Sequence, residues 1–202
     1  MKKSRINIGV VILAAGSSSR LGRPKQLVEF QNKSLLQHVI DTINPFQFHP
    51  GVLVLGANAD VIRKSIKPKN VDVLHNENWP EGIASSIRLG VSESIKLNGL
   101  LDGILFLLSD QPFVSKELIQ ELIEKHANGN QQITACSYKG NVGVPAILSK
   151  DFFPQLLELK GDVGAKKIMM QNKDHVQHIN FKDGSFDVDT EDDVQKLFDK
   201  EM

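Results

Sequence analysis

Residues 10–26 read Val-Val-Ile-Leu-Ala-Ala-Gly-Ser-Ser-Ser-Arg-Leu-Gly-Arg-Pro-Lys-Gln, and the fold turns on how this stretch is read. The apolar, β-branched run from Ile6 to Leu13 has the pattern of a strand buried on both faces, the usual lot of a strand inside a parallel sheet. It stops at Ala14, Ala15 and Gly16, side chains too small to keep a ligand from the backbone. Three serines follow, then Arg20, Arg23 and Lys25 with no acid among them. Backbone N–H groups turned outward after a strand make a concave anion site, and neighbouring cations deepen its positive potential. A polyphosphate suits such a turn, while a solvated basic loop is the plainer reading on composition alone. The two common glycine fingerprints, G-x-x-x-x-G-K-[ST] and G-x-G-x-x-G, are both missing, which disfavours a Rossmann dehydrogenase.

Outward from this turn, strand and helix patterns alternate. Ser34 with Gln37 three residues on is a capping-box pattern, and Leu35, Leu36, Val39, Ile40 and Ile43 follow on one helical face up to Pro45. Gly51–Gly56 reads as a strand, Asn58 or Asp60 opens a helix before Pro68, and Val71–Leu74 is a further strand. A helix starting near Gly82 carries Ile83, Ala84, Ile87, Val91 and Ile95; the strand Gly103–Leu108 ends at Ser109-Asp110-Gln111-Pro112. Ser115 caps a helix that Gly129 closes, and Ile133–Ser137 is the next strand. Val144–Leu148, broken by Pro145, is expected at a sheet edge. Helices over 152–159 and 163–170, a strand over 175–181 and a helix capped by Thr190 complete the chain. This order predicts one domain over residues 1–202, a three-layer α/β/α sandwich with a Rossmann-like, mostly parallel sheet and one antiparallel strand.

With 202 residues, 41% hydrophobic and 24% charged, the chain is long enough to bury a substantial core as a globular domain. A formal net charge of zero argues against bulk attraction to nucleic acid or an acidic membrane. A single cysteine, Cys136, forms no internal disulfide and suits a reducing compartment. Lys2, Lys3 and Arg5 precede an apolar run too short for a signal peptide, and no segment approaches a membrane span, so a cytoplasmic location is expected. Ligands of parallel sheets sit beyond the carboxyl ends of strands, which draws attention to Asp110 and to Asp189 as magnesium ligands, though turn and helix-start chemistry accounts for each alone.

The pattern L-A-A-G-x-S-x-R-x-G-x-x-K resembles the signature loop of nucleotidyltransferases. Further on, Glu81-Gly82-Ile83-Ala84-Ser85-Ser86, Asp110-Gln111-Pro112, Gly143-Val144-Pro145, Gly161-Asp162-Val163-Gly164-Ala165 and Asp187-Val188-Asp189-Thr190-Glu191-Asp192 follow in order. The set resembles the molybdenum cofactor cytidylyltransferases and related MobA-like NTP transferases, with the nucleotide-diphospho-sugar transferase type of fold. Two departures stand out: Glu191 replaces the usual proline, and Lys166 replaces the usual arginine, which removes a bidentate phosphate contact. The resemblance implies CMP transfer from CTP to the terminal phosphate of molybdopterin, with Mg²⁺ or Mn²⁺ as cofactor and pyrophosphate as product. It assigns catalysis to Lys25, Arg20 and Asp110, and the metal to Asp110 and Asp189. The nucleotide falls to Leu13, Ala14, Ala15, Gly16, Ser17, Lys25, Ser85 and Ser86, and the acceptor to Gly161, Asp162 and Lys166. A molybdoenzyme or its maturation chaperone is the implied protein partner. Ala14-Ala15 favours the cytidylyl branch over the L-A-G-G of guanylyl enzymes. The alternatives are guanylyl transfer, cytidylyl transfer to another small phosphorylated acceptor, and a non-catalytic cofactor carrier. Trp79 reads as a packing anchor before a stacking platform, and His75 and His126 as structural.

Overall fold

The opening run forms strand β1 (Ile8–Ala14), buried along its whole length. Its alternation is two-sided: Val10, Ile12 and Ala14 enter one core, Val11 and Leu13 the other. The computed structural model describes residues 6–200, so Lys2, Lys3 and Arg5 lie outside the described residues. After β1 come a small hairpin, β2 (Glu29–Phe30) and β3 (Lys33–Ser34), then α1 (Leu35–Ile43), β4 (Gly51–Leu55), α2 (Ala59–Ser65) and β5 (Asp72–His75). The middle of the chain supplies α3 (Ile83–Leu97), β6 (Gly103–Leu108), α4 (Lys116–Asn128), β7 (Ile133–Tyr138) and β8 (Asn141–Ser149). It closes with α5 (Phe153–Leu157), α6 (Ala165–Gln171), β9 (Val176–Asn180) and α7 (Glu191–Asp199).

The seven-stranded sheet has the order β5-β4-β1-β6-β8-β7-β9. β1 pairs in parallel with β4 and β6, β5 with β4, and β9 with β7. Only β8 runs against its neighbours, β6 and β7. Helices α1, α2 and α4 cover one face and α3, α5 and α6 the other, each through an apolar stripe. A third apolar cluster joins Leu21, Val28 and Phe30 to Val188, Val194 and Leu197, so the segment after β1 is docked against the far end of the chain.

One expectation is corrected. The strand containing Pro145 lies inside the sheet, between β6 and β7, not at an edge. Proline is tolerated there because the ladder skips it: β7 pairs Ala135 with Ala146 and then Cys136 with Gly143, leaving Val144 and Pro145 in the irregularity. On the other side, pairing with β6 stops at Phe106–Ala146, so no partner needs the missing N–H. The β2–β3 hairpin carries no periodic signal in the sequence, being two residues per strand.

Candidate functional site

The turn after β1 is shaped by a buried carboxamide. Gln26, 1% exposed, donates through Nε2 to the carbonyls of Ala14 (2.9 Å) and Gly16 (3.1 Å). Two carbonyls are thereby occupied from below, which leaves the turn's N–H groups as its free polarity. Ser18 adopts a left-handed backbone (φ 57°), its carbonyl accepting from the N–H groups of Leu21 (3.1 Å) and Gly22 (3.0 Å). Its hydroxyl oxygen accepts from the N–H of Lys25 at 3.0 Å. The loop is thus folded back so that Lys25 stands over the end of the sheet.

There Lys25 joins three distant parts of the sequence. Its Nζ lies 2.5 Å from Asp110 Oδ2, just beyond β6, and 2.7 Å from Asp189 Oδ1, just before α7. Arg20 holds the other oxygen of Asp189 at 2.7 Å. Burial opposes the Lys25 charge, but the two carboxylates outweigh it and hold its pKa above the ordinary lysine value. Burial likewise opposes the Asp189 charge, and Lys25 and Arg20 overcome it, so its pKa is lowered. Asp187, beside them, is pushed up to about 6 by desolvation and by the charge of Asp110. The N–H of Val188 donates to the Asp110 carbonyl at 3.1 Å, stitching the 187–189 segment to the end of β6. Thr190 and Asp193 form a capping box at α7, and Arg23 grips Glu191 with two hydrogen bonds of 3.0 and 3.1 Å. The unusual Glu191 therefore ties α7 to the basic loop.

The third wall is the start of α3. Gly82 (φ 117°) leaves no space for a side chain: a Cβ would lie 2.5 Å from the Gly161 carbonyl oxygen and 2.7 Å from the Asp162 nitrogen. Arg88 pairs with both oxygens of Glu81 (2.7 and 2.6 Å) and donates to the Leu159 carbonyl at 2.6 Å. Glu81 also accepts the Gly161 N–H at 3.2 Å. Hydrogen bonds from Arg88 and from that N–H bring its carboxyl down to about 2.

These walls enclose a cavity of about 320 Å³. Of the residues expected at the site, Leu13, Ala14, Ala15, Gly16, Ser17, Lys25, Ser86, Asp110 and Asp162 line it together with Gln26, Trp79, Gly82 and Ile83. Asp189 stands one ion pair away, through Lys25, and Arg20 one further, through Asp189. Ser85, Gly161 and Lys166 are not part of the lining: the Ser85 hydroxyl is bonded to Asn76 (2.8 Å) and the Gly82 carbonyl (2.9 Å), and Lys166 is exposed. The residues that sequence reasoning missed are Gln26, Asp187 and the Glu81–Arg88 pair; Gln26, Asp187 and Glu81 could have been flagged only by their place within quoted motifs, and Arg88, beyond them, carried no signal. A divalent cation fits the acids present. Asp110 Oδ1 is buried with no hydrogen-bond partner, and its Oδ2 shares the Lys25 ammonium with a second carboxylate, Asp189. Among the described residues no three His, Cys, Asp or Glu side chains form a metal cage, and an ion held by this pair would have to complete its shell with phosphate and water.

The MobA-like NTP transferase domain profile matches residues 10–176. The chain is 30% identical over 200 residues to nicotine blue oxidoreductase of Paenarthrobacter nicotinovorans, covering 93% of this chain and 94% of that protein. A probable molybdenum cofactor guanylyltransferase of Flavobacterium johnsoniae is 32% identical over 115 residues, 57% of this chain and 54% of its own. Among solved structures, Rv0371c of Mycobacterium tuberculosis H37Rv superposes with a TM-score of 0.81 at 29% identity, covering 97% of this chain and 99% of that one. Its complex with manganese gives 0.77 at 27% identity, covering 97% and 100%.

Proposed function

The chain belongs to the MobA-like NTP transferase family, and on that premise we propose that it moves CMP from CTP to the terminal phosphate of molybdopterin, releasing pyrophosphate. The observation that carries this reading is the Lys25 bridge: one ammonium holds Asp110 and Asp189 at the rim of a cavity floored by the Ala14–Ser17 turn. A triphosphate laid on that turn would receive the N–H groups of Ala15, Gly16 and Ser17, with Lys25 and Arg20 neutralising charge on the departing pyrophosphate. The attacking phosphate monoester is already ionised at neutral pH, so no general base is required, and positioning and charge neutralisation account for the catalysis. Mg²⁺ or Mn²⁺ bound by Asp110 and Asp189 would supply charge stabilisation on the phosphate oxygens. The unpartnered Asp110 Oδ1 supports this use of the acids. Ala14-Ala15, where a guanylyl enzyme has a second glycine, supports CTP over GTP.

Pyrophosphate release tests the proposal. With molybdopterin and Mg²⁺, CTP is expected to yield pyrophosphate and GTP much less. Lys25→Ala and Asp110→Ala are each expected to lower turnover at least ~100-fold while remaining folded, the scale of losing one strong electrostatic stabiliser. Equal rates with both nucleotides would overturn the base assignment. Release that needs a different phosphorylated acceptor would overturn the acceptor. No release from any pair would favour nucleotide binding without transfer, as in a carrier or in a redox protein like the relative named for nicotine blue.

A further inference from the structure

Ser86 lines the cavity, and its chemistry is set from behind by a residue outside every motif discussed above. Asn76 follows β5, is 3% exposed and does not reach the cavity itself. Its Oδ1 accepts the backbone N–H of Asn78 at 3.0 Å; an N–H can only donate, so the orientation of the carboxamide is settled. Nδ2 therefore faces α3, and its two hydrogens go to the Ser85 (2.8 Å) and Ser86 (2.9 Å) hydroxyl oxygens. Ser85 passes its own proton to the Gly82 carbonyl at 2.9 Å. Ser86 has no such outlet: its hydroxyl proton meets no acceptor among the described residues. We infer that Asn76 is a positioning residue that fixes Ser86 as a hydrogen-bond donor into the cavity, where it holds the nucleotide by donating to an acceptor atom of the nucleoside, a base carbonyl or ring nitrogen. This rests on the reading of the cavity as a nucleotide site.

Asn76→Asp is the decisive variant. At about pH 8 the new carboxylate still accepts from Asn78 but also accepts from Ser86, so the proton meant for the ligand is withdrawn with almost no change of shape. Trp79, the sole tryptophan, lines the same cavity, so its fluorescence reports binding of CTP or GTP with Mg²⁺ to the full chain. Ser86→Ala is expected to weaken the preferred nucleotide about 10-fold, the value of one hydrogen bond to a buried partner. Asn76→Asp is expected to weaken it at least as much, and the double variant no further than about 2-fold beyond Asn76→Asp. If Asn76→Asp does not fold, Asn76→Ala compared in the wild-type and Ser86→Ala backgrounds reads the same coupling. Wild-type affinity in Ser86→Ala or Asn76→Asp, or losses that simply multiply, overturns the inference while nucleotide binding stands. A wild-type chain that binds neither nucleotide overturns the nucleotide reading, and this inference with it.

Discussion

At the scale of single residues, the structure shows how few side chains carry the site and how each is held. Lys25 is 16% exposed at its side chain and sits between two carboxylates, so its charge is secured against burial by partners on both sides. Gln26 serves the same loop without any charge. A contrasting residue is His126, which packs away from the cavity. Its Nδ1 lies 3.0 Å from Thr134 Oγ1, and that hydroxyl oxygen also accepts from Gln177 Nε2 at 2.8 Å. Burial disfavours the charged ring and brings its pKa down to about 4. With a folded value below the ordinary 6.5, the unfolded chain takes up the proton first. The stability due to the neutral ring is complete above about pH 6.5 and is lost as pH falls toward 4. Between about pH 7 and pH 5, thermal melts are expected to show the wild type losing on the order of 1 kcal/mol more than His126→Gln. Parallel losses in the two proteins would show that this ring does not set the acid limb.

At the scale of elements, the turn at 159–162 is fastened to the start of α3 by Glu81 and Arg88, and by the close approach at Gly82. An exposed ion pair adds little to global stability, so its consequence should be local. Glu81→Gln keeps the shape but gives up the charged grip of Arg88; it is expected to raise KM for the phosphorylated acceptor several-fold, with the melting temperature and the KM for nucleotide close to wild type. An equal rise in both KM values would place the clamp on the nucleotide instead. The elements also show what was readable in advance. The all-apolar β1, β4 and β6 and the Ser34, Ser115 and Thr190 caps were legible because local patterning and backbone hydrogen bonding coincide there. The place of β8 was not, since Pro145 argues for an edge unless the irregularity that isolates it is known. Asn76, Gln26 and the Glu81–Arg88 pair were illegible for a related reason: their roles depend on partners brought near only by the fold, up to 80 positions away for Glu81 and Gly161.

At the scale of the molecule, the site is a junction between the beginning, middle and end of the chain. Asp189 is 164 residues from Lys25 in sequence, Asp110 is 85, and the Leu21–Val28–Phe30 cluster packs on Val188 and α7 behind them. A ligand that bridges the β1 turn, Asp110 and Asp189 therefore stabilises contacts that the sheet itself does not make. Local opening of α7 needs the Lys25–Asp189, Arg20–Asp189 and Arg23–Glu191 pairs to part, so its exchange should respond to the ligand more than that of the distant β5 edge. Ligand at about 100 times its dissociation constant contributes roughly 2.7 kcal/mol to any state it binds exclusively. Amide hydrogen exchange is accordingly expected to slow in residues 186–199 when CTP and Mg²⁺ are added, by up to about 100-fold if closure of α7 is required for binding. Residues 59–75, which contribute nothing to the cavity, should keep their rates wherever exchange proceeds by local opening. Protection confined to residues 13–26, with 186–199 unchanged, would mean that the nucleotide is gripped by the opening loop alone and that Asp189 takes no part in holding it.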